Sequence, residues 1–280
     1  MLELIDVSVI YDPYTKFRKE ALTNINLKIE NNEAIAIVGQ IGSGKSTLIQ
    51  LLNGILKPDK GRVILDGVDI NDRRVKRKEI IKKIGVVFQS PEDQFFAETV
   101  FDEVAFGPKN LGFSKEEIEE RVNRALLSMG LIPESLSSRS PFSLSGGEKR
   151  RVAIASIISI NPQIIVLDEP TAGMDFSGKI SILAHIKDQL HKGVGVVFIT
   201  HNMEEAIQIA DRLIVLSEGR IVFDGEPKAF FINVDFVKKV GLDIPFPVEF
   251  RERAKKHFPD FPFCRDSKEI IKYFLSRKKQ

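Results

Sequence analysis

The sequence predicts an α/β fold built on a mostly parallel central sheet, and three observations carry that prediction. Short apolar runs alternate with helical patterns along most of the 280 residues, and strands separated by helices form parallel sheets through crossover connections. One such run, "EAIAIVG", leads into the glycine-rich stretch "GQIGSGKST" and then into a helical pattern. That is the strand–loop–helix context in which a backbone cradles phosphates. Another run, "IIVLDEP", ends in two adjacent carboxylates, which phosphate chemistry needs nearby for a metal and a water.

The elements follow in order. "LELIDVSVIY" and "LTNINLKIE" alternate apolar and polar residues, as half-buried strands of an antiparallel N-terminal β subdomain do. "EAIAIVG" is continuous enough for a buried strand. "STLIQLLNGIL" reads as a helix, "GRVILDG" as a strand, and "RRVKRKEIIKKI" as a basic helix feeding the strand "GVVFQ". A helical subdomain is expected over about 91–160. Its clearest helix is "SKEEIEERVNRALLSMG", where Ser114 and Glu117 make a capping box. The apolar runs "QIIVLDEP", "VGVVFITH" and "RLIVLSEG" complete the sheet. These elements make one large domain over 1–232. Proline and phenylalanine then cluster in "GLDIPFPVEF" and "HFPDFPFCRD", before a last helix "SKEIIKYFLSRKK" capped by Asp266 or Ser267. Residues 233–280 are therefore expected to form a small C-terminal extension.

Composition is ordinary for a folded chain, 43% hydrophobic and 29% charged, enough for one large domain and a smaller one. A net charge of +2 gives no global argument for nucleic acid as a partner. The single cysteine, Cys264, cannot close an internal disulfide and suits a reducing compartment. The N-terminus shows no secretory signal. No apolar run approaches the roughly 20 residues of a membrane span.

Gly39, Gln40, Ile41, Gly42, Ser43, Gly44, Lys45 and Ser46 fit G-x-x-x-x-G-K-[ST]. The glycines let backbone N–H groups turn inward around phosphate oxygens. Lys45 is the candidate for the β- and γ-phosphates, acting as a point charge. Ser46 is the candidate hydroxyl for Mg²⁺, and Thr47 the candidate for the α-phosphate. At the tip of "IIVLDEP", Asp168 is placed to hold Mg²⁺ and Glu169 to orient or deprotonate the attacking water. Far downstream of the first loop, Ser145, Gly146, Gly147 and Glu148 open a second helical pattern, "EKRRVAIASIIS". A glycine-opened helix start offers free N–H groups and a positive dipole end. The chain thus carries two phosphate-binding helix starts.

"GQIGSGKST", "LSGGE" and "LDEP" in this order resemble the ATP-binding cassette (ABC) ATPases over about residues 2–230. The resemblance implies that the domain over 1–232 is a nucleotide-binding P-loop ATPase core, and it implies several further roles. Gln89, ending "GVVFQ", is similar to the glutamine that touches the metal and attacking water. Asp175, ending "AGMD", resembles the aspartate of the D-loop. His201, after "VVFIT", resembles the switch histidine that contacts the γ-phosphate. Tyr11 is the candidate to stack on adenine, with Phe17 as a competitor. The resemblance also implies why there are two glycine loops. Two subunits meet head to tail, and Ser145, Gly146 and Gly147 of one complete the ATP site of the other, so ATP should join the dimer. Glu148 departs from the family's usual glutamine. It can still accept hydrogen bonds from a ribose hydroxyl, but it brings negative charge near a triphosphate unless Lys149, Arg150 or Arg151 offsets it.

A finer resemblance is to the ATPases of energy-coupling factor (ECF) transporters, which import vitamins and transition-metal ions. It rests on "FQSPEDQFFAETVFDEVAFGPKNLG", on "PTAGMD" and on "GLDIPFPVEF" with its helical tail. In that group "DQF" (Asp93, Gln94, Phe95) begins a short helix at a membrane-facing groove. Phe95, Phe96, Phe101 and Phe106 line that groove or fill the subdomain's core. The tail helps pair the ATPases or packs on its own domain. The resemblance implies ATP and Mg²⁺ and a second ABC ATPase, as homodimer or heterodimer. It also implies a transmembrane scaffold (T component) and a membrane subunit that captures substrate (S component). The chain would sit peripherally on the cytoplasmic face of the cell membrane. The basic run Arg73, Arg74, Lys76, Arg77 and Lys78 is a solvated face or a contact with anionic lipid or a partner. Two other readings remain. A soluble cassette acting on nucleic acid or the ribosome usually has two cassettes in one chain or a long coiled coil, and this sequence shows neither. A regulatory cassette that binds ATP without turnover is opposed by Lys45, Asp168, Glu169 and His201.

Overall fold

A computed structural model of the chain describes residues 1–277. Strands β1 (Leu2–Tyr11) and β2 (Lys19–Ile29) pair antiparallel. The register shifts between Leu4 and Val7, where Asp6 takes φ +50°. This irregularity lets Leu2 and Leu4 and then Val7 and Val9 all face inward. Strand β3 (Ala34–Val38) is buried throughout and leads through the glycine-rich loop into α1 (Lys45–Leu52). Strands β4 (Lys60–Leu65) and β5 (Val68–Asp69) complete a four-stranded sheet in the order β2-β1-β4-β5. This is the expected antiparallel subdomain.

Helix α2 (Arg77–Lys83) is shorter than the basic helix expected from Arg73 onward. Asp72 accounts for the difference: its carboxylate accepts the Arg74 N–H and its carbonyl the Val75 N–H. That local turn competes with helix. After β6 (Ile84–Val87) comes a 3₁₀ turn at Pro91–Gln94. The helices α3 (Val100–Leu111), α4 (Lys115–Ser128) and α5 (Pro133–Leu136) follow, and then α6 (Gly146–Ile158). Ser114 and Glu117 form the expected capping box on α4. "DQF" does not open a helix as expected. Asp93 and Gln94 end the 3₁₀ turn and Phe95 is extended. The buried Glu103 carboxylate accepts the N–H groups of Phe96 and Ala97, which holds this stretch out of the helix.

The chain continues through β7 (Ile164–Asp168), α7 (Phe176–His191), β8 (Gly195–Ile199), α8 (Met203–Ile209), β9 (Arg212–Ser217) and β10 (Arg220–Gly225). The second sheet has the order β10-β9-β3-β8-β7-β6, parallel except for the β9–β10 hairpin. In β3, Ala34, Ala36 and Val38 join one core while Ile35 and Ile37 join another. Both faces of the sheet are thus covered, as a parallel sheet requires. Ile37 and Asp168 both pair with Ile199, and Val87 pairs with Leu167. Four parallel strands therefore end level, and the segments that follow them leave from one carboxyl edge.

Four helices close the described chain: α9 (Pro227–Phe231), α10 (Val234–Lys239), α11 (Phe246–Ala254) and α12 (Ser267–Arg277). Asp266 caps α12 by accepting the Glu269 N–H. The last two residues of the predicted helix, 278 and 279, lie outside the described residues. Phe230, Phe231, Val237 and Val248 join the main core, whereas Phe250, Phe258, Phe261 and Phe274 gather with Cys264 and Ile270 in a cluster of their own. Among the described residues no helix is long and apolar enough to cross a membrane.

Candidate active site

The loop from Gly39 to Ser46 is shaped by what surrounds it. A Cβ on Gly39 would lie 2.2 Å from the Leu216 carbonyl oxygen. Gly44 has φ +108°, and a Cβ there would meet the Ala21 carbonyl oxygen and Leu22 Cδ2 at 2.7 Å. No side chain caps α1, because Gly44 stands at its N-cap. The first N–H groups of the helix are therefore left for a ligand. The Lys45 ammonium donates to the carbonyls of Gly39 (2.7 Å) and Gln40 (2.8 Å). Burial lowers the Lys45 pKa, and the nearby Glu169 and Asp168 carboxylates offset that in part. Ser43 is buried, and its hydroxyl has no hydrogen-bond partner among the described residues.

The level strand ends bring the distant motifs to this loop. A cleft of about 500 Å³ is lined by Tyr11, Gly42, Gly44, Lys45, Ser46, Thr47, Gln89, Asp168, Glu169 and His201. Lys19, Ala21 and Ile41 also line it; Lys19 and Ala21 had no signal in the sequence, because they reach the cleft from β2. Tyr11, not Phe17, reaches the site, with its phenol oxygen 3.3 Å from Thr47 Oγ1. Phe17 is 82% exposed and does not line the cleft. Burial raises the Asp168 pKa and the Glu169 charge raises it further, while Lys45 and His201 pull it down. Glu169 sits at φ +50°, a strained conformation for a side-chain-bearing residue. Its N–H donates to the Ile199 carbonyl at 3.0 Å, and His201 Nε2 lies 2.8 Å from its Oε1.

The second glycine-opened helix start is not in this cleft. Ser145, Gly146, Gly147 and Asp175 line another one, of about 590 Å³. Asp175 caps α7 by accepting the Gly178 N–H at 2.8 Å. Glu148 folds back on its own helix start. Its carboxylate accepts the Ser145 N–H (2.9 Å) and hydroxyl (2.8 Å), and Ser145 Oγ accepts the Glu148 N–H (3.3 Å). The Ser145 N–H and hydroxyl hold the Glu148 pKa below its ordinary value, with help from Arg139 and Arg151. Arg150 instead donates to the Ala172 carbonyl.

Two tertiary features had no signal in the sequence. Glu205, 4% exposed, accepts the hydroxyls of Thr171 (2.8 Å) and Thr200 (3.1 Å). It thereby ties the segment after Glu169 to the residue before His201. Gln40, in the phosphate loop, donates to the Gly241 carbonyl at 3.4 Å, so the extension touches the site.

Fold and site together define a nucleotide-hydrolysing cassette. Residues 22–172 match the ABC transporter family. A Clostridium tetani protein, energy-coupling factor transporter ATP-binding protein EcfA2, is 47% identical over 283 residues, 99% of this chain and 98% of that protein. A Clostridium perfringens protein of the same description is 48% identical over 246 residues, 87% of this chain and 86% of that protein. The solved structure of cbiO1 from Clostridium perfringens, part of the ABC transporter complex cbiONQ, aligns with TM-score 0.75 at 35% identity, over 90% of this chain and 98% of that one. A dimeric ATP-binding cassette in a post-hydrolysis state with ADP and Pi aligns with TM-score 0.72 at 31% identity, over 81% and 99%. The chain belongs to the ABC transporter family and, within it, to the ATP-binding proteins of energy-coupling factor transporters.

Proposed function

We propose that this chain hydrolyses ATP at the interface of two cassettes and passes the movement to membrane subunits that import a vitamin or a transition-metal ion. The observation that carries this reading is the separation of the two glycine-opened helix starts. One lies in a cleft with Lys45, Asp168, Glu169 and His201, and the other in a cleft with Asp175. Head-to-tail pairing would bring Ser145, Gly146 and Gly147 of one chain to the γ-phosphate held by the other. The partner is a second cassette, either another copy or a related chain.

The residues present fit a magnesium nucleotide. The orphaned Ser43 hydroxyl and the uncapped α1 suit phosphate oxygens. Among the described residues no group of three His, Cys, Asp or Glu side chains is arranged to hold a metal alone. Mg²⁺ is commonly bound through one or two carboxylates together with substrate phosphates. Ser46, Gln89 and Asp168 would hold it, and when bound it neutralises charge on the β- and γ-phosphate oxygens. Lys45 binds the same phosphates. Tyr11 stacks on the base, and Thr47 reaches the α-phosphate. Gly39, Gln40, Gly42 and Gly44 shape the cradle. Glu169 accepts the proton of the attacking water, and His201, already beside Glu169, holds the γ-phosphoryl group and that carboxylate in one geometry. Glu148 fixes Ser145 and also brings a negative charge near the incoming triphosphate.

An apolar groove of about 410 Å³, lined in part by Phe95, Phe96 and Phe106, suits a helix of a transmembrane scaffold, the T component. A separate membrane subunit, the S component, would capture the substrate, and the chain would sit peripherally at the cytoplasmic face. Domain boundaries at about 232/233 and at about 91–160 fit this division of labour. The test is Glu169→Gln. It should abolish turnover and leave an ATP-dependent dimer that elutes at twice the monomer mass. Equal turnover in both proteins would remove Glu169 from the mechanism, and a protein that stays monomeric with ATP both alone and when mixed with a related cassette would remove the head-to-tail dimer.

A further inference from the structure

Between Asp72 and Lys83 seven basic residues stand against two acidic ones, in a chain whose net charge is only +2. Two of the seven are neutralised: Arg74 pairs with Asp72, and Lys83 with Asp66. Arg73, Lys76, Arg77, Lys78 and Lys82 are exposed and take part in no ion pair among the described residues. Glu79 is the one acidic side chain on α2 itself. Buried Ile80 anchors α2 to the core, which turns the charged face outward. Lys78 and Ile81, one turn apart, line the apolar groove beside Phe96 and Phe106. Lys78 therefore stands at the groove that the proposed function assigns to the membrane scaffold, and the other four cations lie within five residues of it in the chain.

We propose that this patch binds the anionic headgroups of the membrane surface next to the scaffold. The inference rests on the groove facing the membrane subunit. Unpaired cations beside exposed apolar side chains suit an interface that is charged on one side and greasy on the other. Single-stranded nucleic acid also seeks cations, but it needs open aromatic faces to stack on. The Phe96 and Phe106 rings here pack edge to face on each other at 4.6 Å. The patch would then set the tilt of the cassette against the bilayer, and its contribution would fall with salt.

The test uses the purified full chain and sedimentation with phosphatidylcholine vesicles, with and without phosphatidylglycerol. The parent protein should bind the anionic vesicles at low salt and release them as salt rises. Replacing Arg73, Lys76 and Lys82 together with Gln should reduce that partitioning by about a hundredfold, since each cation near an anionic surface contributes roughly fivefold. Replacing Lys16, Lys115 and Lys256 with Gln changes net charge equally, and should leave binding close to that of the parent. ATP turnover and the ATP-dependent dimer of Glu169→Gln should be unaffected by the patch substitutions, so failure of the lipid contact and failure of the ATPase reading give different results. Equal binding to both vesicle types, equal loss in both triple variants, or tighter binding to a single-stranded RNA oligonucleotide than to vesicles would overturn the proposal.

Discussion

Glu205→Ala should separate positioning from chemistry at this site. Glu205 lies in α8, 4% exposed, and does not line the cleft that holds Lys45. Its carboxylate accepts the hydroxyls of Thr171 and Thr200, which are themselves only 4% and 3% exposed. Truncation to alanine leaves both hydroxyls buried without their acceptor. Each such orphan costs about 1–3 kcal/mol, so a total loss of roughly 2–6 kcal/mol is expected. Lys179, whose ammonium is 3.9 Å from the Glu205 carboxylate, is a donor only and cannot replace the lost acceptor. Glu205→Gln keeps an acceptor oxygen and should lose only about 1 kcal/mol. The two threonines flank Glu169 and His201, so the alanine variant should also lower kcat by about tenfold or more while leaving the ATP Kd nearly unchanged. Urea denaturation followed by fluorescence of a bound dye reads the stability, and a phosphate-release assay reads kcat. A stability loss below about 0.5 kcal/mol, or an unchanged kcat in a variant that is measurably destabilised, would refute the clamp.

Four further outcomes follow from the same geometry. Gly44→Ala should lose nucleotide binding and roughly 1–3 kcal/mol of stability, because φ +108° strains any side chain and the new Cβ meets the Ala21 carbonyl; normal ATP affinity would contradict this. Asp168→Asn should abolish turnover yet raise the melting temperature of the nucleotide-free protein. The folded carboxyl binds its proton more readily than the unfolded one, so its contribution falls as pH rises just above its ordinary value of 3.8. The asparagine variant should lack that fall, and a lower melting temperature at neutral pH would count against it. Ser145→Ala should cost about 1 kcal/mol by removing the α6 cap, and also the ATP-dependent dimer of Glu169→Gln. Glu148→Gln should keep the cap and strengthen that dimer, because it removes a negative charge beside the incoming triphosphate; a weaker dimer would show that the carboxylate is needed.

The sequence alone determined the parts that depend on local chemistry. A five-residue apolar run before a glycine-rich loop and a helical pattern reads as a buried strand feeding a phosphate cradle, and "LDEP" after another such run puts Asp168 and Glu169 at a strand tip. Ser114 with Glu117 was legible as a cap because a capping box needs four consecutive residues and nothing else. Where several local patterns competed, the sequence was ambiguous. Asp72 ended the basic helix early, and the buried Glu103 carboxylate kept Asp93 to Phe95 from opening one. The entry of Tyr11 rather than Phe17 into the cleft was decided only by tertiary structure, as was the Glu205 clamp. Each depends on which atoms meet across elements far apart in the chain. The register that ends β3, β6, β7 and β8 on one level is of the same kind. Strand pairing between distant segments sets it, and that register turns four separate motifs into one cleft while leaving the fifth, around Ser145, in another.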